Sequence, residues 1–191
     1  MPHLERPAFG ARAALALLAA LAPTAAHAGL YKAEQGAWLT ADVGVSGADV
    51  GFHPALAWSA GFGALAGASL GQDGEAARLW GVGARVRQDV QWASGLTHTR
   101  TAAMLELRRS LDLFGIGVHG ALLGGPLFDS DTPLATRLAG GTIRGAGGFR
   151  YPIAHDLGLL LRLEVGIDVA GPVTPTLGLS IGLEALLGLG D

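Results

Sequence analysis

The chain is 191 residues long, 50% hydrophobic and only 15% charged, with a formal net charge of −3. An ordinary soluble domain carries roughly 25% charged residues, so this chain is short of charge, and the excess of acids over bases leaves no strongly basic face for nucleic acid. Cysteine is absent and there are 31 glycines. The first fact excludes disulfides, thiol nucleophiles and thiolate metal sites. The second resists long helices, because glycine costs about 1 kcal/mol in a helix interior.

The N-terminus reads MPHLERPAFGARAALALLAALAPTAAHA. Arg6 and Arg12 precede a short apolar run at 13–22, and Ala26-His27-Ala28 is a small-x-small site. This is a secretory signal pattern, and its apolar run is too short for the roughly 20 residues a membrane helix needs. Residues 1–28 are therefore expected to be a signal peptide, 29–35 a lead-in and 36–191 one barrel domain. Export without cysteine fits a bacterial envelope better than a disulfide-stapled secreted domain.

From there the chain alternates with a period of two, the template of strands. In 39–46, Leu39, Ala41, Val43 and Val45 oppose Thr40, Asp42, Gly44 and Ser46. Residues 54–67 are compatible with the same pattern. In 79–92, Trp80, Val82, Ala84, Val86, Gln88, Val90 and Trp92 oppose Leu79, Gly81, Gly83, Arg85, Arg87, Asp89 and Gln91. Residues 100–109, 114–122 and 136–151 follow. In 157–170 the odd positions from Leu157 to Val169 are all apolar, while Arg162, Glu164 and Asp168 share the even face with glycine, alanine and Leu160. A final series runs over 177–189. On a helix those three charges would scatter among leucines without an apolar stripe. Turn signals at 47–53, 71–75, 93–98, 109–112, 124–133, 151–156 and 171–176 separate eight strands, each longer than the usual 5–6 residues. The predicted fold class is all-β, a single eight-stranded antiparallel up-and-down transmembrane barrel.

Three arguments turn the apolar face outward. An eight-stranded barrel has an interior just wide enough for side chains to fill, and a face carrying Trp58, Phe62, Trp80, Trp92, Phe114 and Phe149 would crowd it. The polar face carries near-balanced charge: Asp42, Asp89, Glu106, Glu164, Asp168 and Glu184 against Arg85, Arg87, Arg108, Arg144, Arg150 and Arg162. Buried charges need partners, and the arginine fork suits several carboxylates at once. Finally, Trp80 and Trp92 are separated by a rise of roughly 30 Å for a tilted strand, close to the spacing of aromatic girdles flanking an apolar band about 25 Å tall. Phe149 and Tyr151 are expected beside Trp80, and Trp58 beside Trp92. Connections 71–75, 109–112 and 151–156 become periplasmic turns, with both termini on that side. Connections 47–53, 93–98, 124–135 and 171–176 become short outer loops.

Signal peptide, alternation, strand count and girdles together resemble the small eight-stranded outer-membrane barrels, the OmpA-transmembrane and OmpX-like group of Gram-negative bacteria, over about residues 36–189. The resemblance implies a structural, anchoring or narrow-pore role in the outer membrane after Sec-type export, with outer-membrane lipid and the barrel-assembly machinery as partners, a monomeric state and no catalytic residue. It departs at the end of the chain: such barrels usually finish on an aromatic residue read by the assembly machinery, whereas here the series ends LLGLGD.

Other chemistry finds little support. Gly115-Ile116-Gly117-Val118-His119-Gly120 matches the dinucleotide fingerprint G-x-G-x-x-G, but ALLGGP follows it where a helix should open. His53, His98 and His155 fall in predicted connections and His119 on the lumen face, without metal-ligand spacing. Ser110, Ser130 and Ser180 lack a nucleophile elbow. Asp129 and Asp131 could contribute to a divalent-cation loop, though the rest of such a loop is absent. No catalytic residue, cofactor or metal ligand is expected. Two further readings stay open: a soluble lipocalin-like barrel binding an apolar ligand, with the apolar face inward, and a lipid-modifying outer-membrane enzyme.

Overall fold

A computed structural model describes residues 31–48, 53–70, 76–93, 96–113, 116–130, 136–154 and 156–188. The stretch 1–28, expected to be a signal peptide, lies outside the described residues. Every element among them is a strand: β1 (Tyr31–Ala48), β2 (His53–Leu70), β3 (Ala76–Ala93), β4 (Leu96–Leu113), β5 (Ile116–Ser130), β6 (Thr136–Pro152), β7 (Leu157–Val169) and β8 (Val173–Leu187). Each pairs antiparallel with the next, and β8 pairs with β1, so the sheet closes. Closure leaves no free edge strand, although the β4–β5 ladder skips Ala103–Met104 and Gly125–Pro126.

Paired residues traced around the sheet from Ala37 lead through Ala64, Val82, Leu107, Leu122, Gly145, Val165 and Leu177. They return to β1 at Gly47, ten positions beyond the start. A stagger of this size goes with strands tilted about 35–45° to the barrel axis. It also makes each inward side chain reach across to strands that are not its neighbours.

The strands run further than turn chemistry suggests. β1 starts at Tyr31, within the stretch expected as a lead-in, because 31–36 pair with the end of β2. β4 continues through the expected 109–112 turn to Leu113, and β5 continues through Gly124, Gly125 and Pro126 to Ser130. β3 and β4 likewise consume most of the expected 93–98 loop. Backbone pairing with a neighbour that is already extended outweighs a local glycine or proline. The disturbance appears instead as a register shift between Leu127 and Phe128, just past Pro126. Gly171, at φ +86°, turns the chain between β7 and β8 in a backbone region that side chains disfavour.

Along β7 burial alternates residue by residue, with Leu159, Leu161, Leu163, Val165, Ile167 and Val169 exposed outside and Leu160, Arg162, Glu164 and Asp168 buried inside. The same alternation runs around the barrel: Leu105 is 72% exposed and Glu106 1%. The interior holds two small apolar clusters as well as charge. One joins Trp38, Leu65, Ala77, Leu79 and Leu186; the other joins Ala102, Met104, Ala121, Leu123 and Leu127.

Trp38 shows that a lumen too narrow for the whole aromatic face still accepts one large ring. It is buried on the inner face at 1% exposure. Gly63, Gly81 and Gly83 make the room, since a Cβ on any of them would run into its ring. At Gly63 the three nearest atoms to such a Cβ all belong to Trp38. Gly63→Ala is therefore expected to cost about 1–3 kcal/mol through overpacking, and the penalty should largely vanish in a Trp38→Ala background. Urea titrations scored by the folded band on unheated gels, run as a double-mutant cycle, measure this coupling.

Candidate functional site

The lumen concentrates the chain's polar side chains, and its geometry starts from Arg85 on β3. Arg85 Nη1 donates to Asp42 Oδ2 at 2.8 Å and to Ser59 Oγ at 2.6 Å; Nε donates to Glu106 Oε2 at 2.9 Å, and Nη2 to Thr40 Oγ1 at 3.0 Å. Ser59 Oγ also donates to the Asp42 carboxylate at 2.8 Å. Glu106 is shared, because its Oε1 accepts from Arg162 Nη1 at 3.2 Å. Arg162 Nε in turn donates to Glu164 Oε1 at 2.8 Å, two positions along the same strand.

Glu164 passes the chain of charges on. Its Oε2 accepts from Arg87 Nη1 at 2.8 Å and lies 3.6 Å from Arg144 Nη1. Arg87 Nη2 donates to Asp89 Oδ1 at 2.9 Å, and Ser46 Oγ donates to that oxygen at 2.5 Å. Arg144 Nη2 donates to Asp168 Oδ1 at 3.2 Å. At the end of the barrel bearing the 94–95 and 131–135 connections, Arg100 Nε donates to Asp129 Oδ1 at 2.9 Å and Nη1 approaches Asp168 at 3.5 Å. A continuous ion-paired path thus runs from Asp42 to Asp129. A second cluster sits near the other end. Arg108 grips Glu184 with both terminal nitrogens, donates from Nε to Ser110 Oγ at 2.7 Å, and holds its guanidinium 5.6 Å from the Trp38 ring centroid. Arg150 lies 3.7 Å from Asp112 and 4.0 Å from Glu184.

Such pairs are not stabilising merely because opposite charges meet. Taking each ion from water costs several kcal/mol, and the attraction offsets that only with good geometry and satisfied remaining valences. Here the forked arginines meet carboxylates on other strands, and Thr40, Ser46, Ser59 and Thr142 occupy valences the ions leave over. At the mouth a cavity of about 20 Å³ remains, lined by Ser46, Asp89, Arg100, Arg144, Asp168 and Thr176 among others, room for about one water.

All twelve charged residues assigned to the lumen by alternation are buried on the inner face. Alternation missed Arg100, Asp112, Asp129 and Trp38. Their parity alone assigns them inward, but turn signals had removed Asp112 and Asp129 from any strand. Asp129 lies on β5 rather than in an outer loop and is ion-paired with Arg100. Asp131 lies outside the described residues. His98 is on β4 rather than in a connection, with Nε2 3.7 Å from Asp129. His119 is buried, and neither ring nitrogen has a hydrogen-bond partner among the described residues. His53 opens β2; its side chain, His155, Phe114 and Gly115 lie outside what is described.

Of the expected girdle, Trp58, Trp80, Phe149 and Tyr151 are exposed on the outer face. Trp58 stands opposite Gln88, four positions before Trp92, and donates from Nε1 to Gln88 Oε1 at 2.9 Å. Gln88 Nε2 donates to Thr101 Oγ1 at 3.3 Å, so a polar trio marks that level of the outer face. Trp92 pairs with Thr97 in the ladder; its side chain is not among those described.

No family model and no curated protein matches this sequence. Among solved structures the chain is similar to Neisserial surface protein A, with a TM-score of 0.56 at 12% identity, covering 78% of this chain and 96% of that one. The fold is that of the small outer-membrane barrels. The attachment invasion locus protein Ail of Yersinia pestis, solved with the heparin analogue sucrose octasulfate, also matches, with a TM-score of 0.45 at 10% identity, covering 80% of this chain and 99% of that one.

Arg162 is wholly buried between two carboxylates. Arg162→Leu leaves Glu106 and Glu164 each short of a partner and is expected to cost about 3–5 kcal/mol of folding free energy, read from urea unfolding of the barrel in lipid vesicles.

Proposed function

We propose that this chain is an integral outer-membrane barrel with a structural or anchoring role, its interior closed by ion pairs rather than open to solutes or arranged for catalysis. One observation carries the reading: exposed Leu, Ile, Val and Phe cover the outside of a closed sheet while the charges are paired inside. A lipid bilayer demands that arrangement, because hydrocarbon satisfies no backbone polar group and only a closed barrel or a helix pairs them all internally. In water the same outer face would be an apolar surface far larger than a soluble monomer exposes.

In this reading residues 1–28 direct export, and the barrel enters the membrane as a monomer through the assembly machinery. With eight strands, β1 begins and β8 ends on one side, taken as periplasmic together with the 71–75, 114–115 and 153–156 connections. The lipocalin-like alternative needs an apolar interior around a ligand, whereas the interior here is held by Arg85, Arg162 and their acids. The enzyme alternative would use a Ser–His pair. Ser110 does stand opposite His119 in the ladder, but its hydroxyl accepts from Arg108 and no hydrogen bond joins the two side chains.

The outer face is tested by Leu163→Arg, expected to cost about 2–4 kcal/mol at mid-bilayer and to abolish the heat-modifiable folded band. Wild-type tolerance of that change, or a mature protein soluble without detergent, contradicts the reading. In planar bilayers the folded protein is expected to show no discrete conductance step; a stable step that disappears on changing Arg85 or Arg144 would instead favour a narrow pore.

A further inference from the structure

The outer face is not uniformly apolar. Arg78 and Arg109 project from it near the end that bears the 71–75 and 114–115 connections. Arg109 pairs with Trp80, and Arg78 with Leu111, in the β3–β4 ladder, so the two arginines occupy diagonal positions on one face, within reach of a common group. Arg109 is held in place by Trp80, its guanidinium carbon 5.2 Å from a ring centroid. Neither arginine forms an ion pair with a carboxylate among the described residues, in contrast to those of the lumen.

Beside this pair the outer surface sinks. Around Arg78, Arg109, Leu111 and Val118 lies a recess of about 630 Å³. It meets, at Arg109 and Gly120, a second recess of about 510 Å³ floored by Gly120, Gly145 and Gly147 and walled by Trp80, Leu107, Leu163 and Val165 among others. Together they form one furrow that starts at the arginines and crosses β5 and β6. Barrel packing does not demand these glycines. A Cβ on Gly120, Gly145 or Gly147 would meet nothing nearer than a carbonyl oxygen at 3.9–4.0 Å, whereas one on Gly63 or Gly83 would collide with Trp38. Strand glycine without an internal packing reason is often found where a ligand or another backbone approaches closely.

We propose that this furrow binds one phospholipid of the periplasmic leaflet, its phosphate held by Arg78 and Arg109 and an acyl chain lying along Gly120, Gly147 and Gly145. The site rests on the membrane reading above. Its chemistry is specific beyond general contact with lipid. Two guanidiniums at the interface offer forked donors to a phosphate, the Trp80 ring fixes one of them, and the furrow leads from that point into the apolar band. Arg137, exposed at the start of β6, lies at the opposite end of the barrel and stands across the ladder from Asp129.

The test is native mass spectrometry of the folded full chain released from micelles containing phosphatidylglycerol, phosphatidylethanolamine or, as a phosphate-free control, diacylglycerol. The wild type is expected to retain one phospholipid and not diacylglycerol. Arg78→Gln/Arg109→Gln should lower that retention about tenfold, the worth of one charge-assisted hydrogen bond. Gly147→Leu, which fills the furrow from outside, should lower it with both arginines intact. Heat-modifiable migration should be unchanged in both variants, because none of these side chains packs into the lumen. Equal retention of diacylglycerol, or undiminished phospholipid binding by either variant while the barrel still folds, overturns the site and leaves the membrane reading standing. A wild-type barrel that is soluble without detergent overturns both.

Discussion

Glu106 accepts hydrogen bonds from Arg85 on one side and Arg162 on the other, and the interior of the barrel is arranged around shared carboxylates of this kind. Each buried ion would be costly alone. Placed between two arginines from different strands, a carboxylate becomes a junction. Glu106 joins β3, β4 and β7, and Glu164 joins β3, β6 and β7. These junctions cross the lumen, so they constrain strands that share no ladder. A slip of one residue would turn a strand's arginines toward lipid, and a slip of two would carry them past their acids. The ion pairs thereby hold a register that the backbone ladder alone, rich in glycine and alanine, specifies weakly.

The two surfaces make opposite demands on side-chain size. Inside, short residues at Gly61, Gly148, Gly158 and Gly166 leave room for Arg85, His119, Arg150 and Arg144, and Trp38 occupies the space that Gly63 and Gly83 open. Outside, leucine, isoleucine, valine and phenylalanine supply the apolar contact that lipid requires. Charge and bulk are therefore exchanged between neighbours in sequence at every step of a strand, which is why a run such as Leu159–Val169 can be both greasy and charged without conflict. The furrow over Gly120, Gly145 and Gly147 breaks that bulk, as do Ala41, Ala60 and Ala64 on β1 and β2.

Period-two alternation made the closed barrel, the inward placement of twelve charged residues and the apolar outer face legible before any coordinates. It left the strand ends obscure. Turn propensity is local, while pairing is decided by the neighbour. Arg109 to Asp112 reads as a turn, yet β5 offers His119, Val118 and Gly117 as ladder partners and the strand continues. Asp112 and Asp129 were lost to the interior reading for that reason. Trp38 escaped notice because its accommodation depends on glycines in two other strands, a relation no single segment displays. The level of Trp58 was misjudged because it follows from the β2–β3 register with Gln88, which spacing within one strand does not contain.

The central claim is that one face of each strand, the even positions in β7, lines an ion-paired lumen and that the other face meets lipid. The chain contains no cysteine, so single cysteines can be introduced one at a time from position 157 to 169 and spin-labelled in bilayers. The account predicts a period of two in collision with oxygen, high at 159, 161, 163, 165 and 167, with a water-soluble nickel complex reaching none of these and the even positions closed to both. Nickel access at the odd positions, or a profile without alternation, would contradict it.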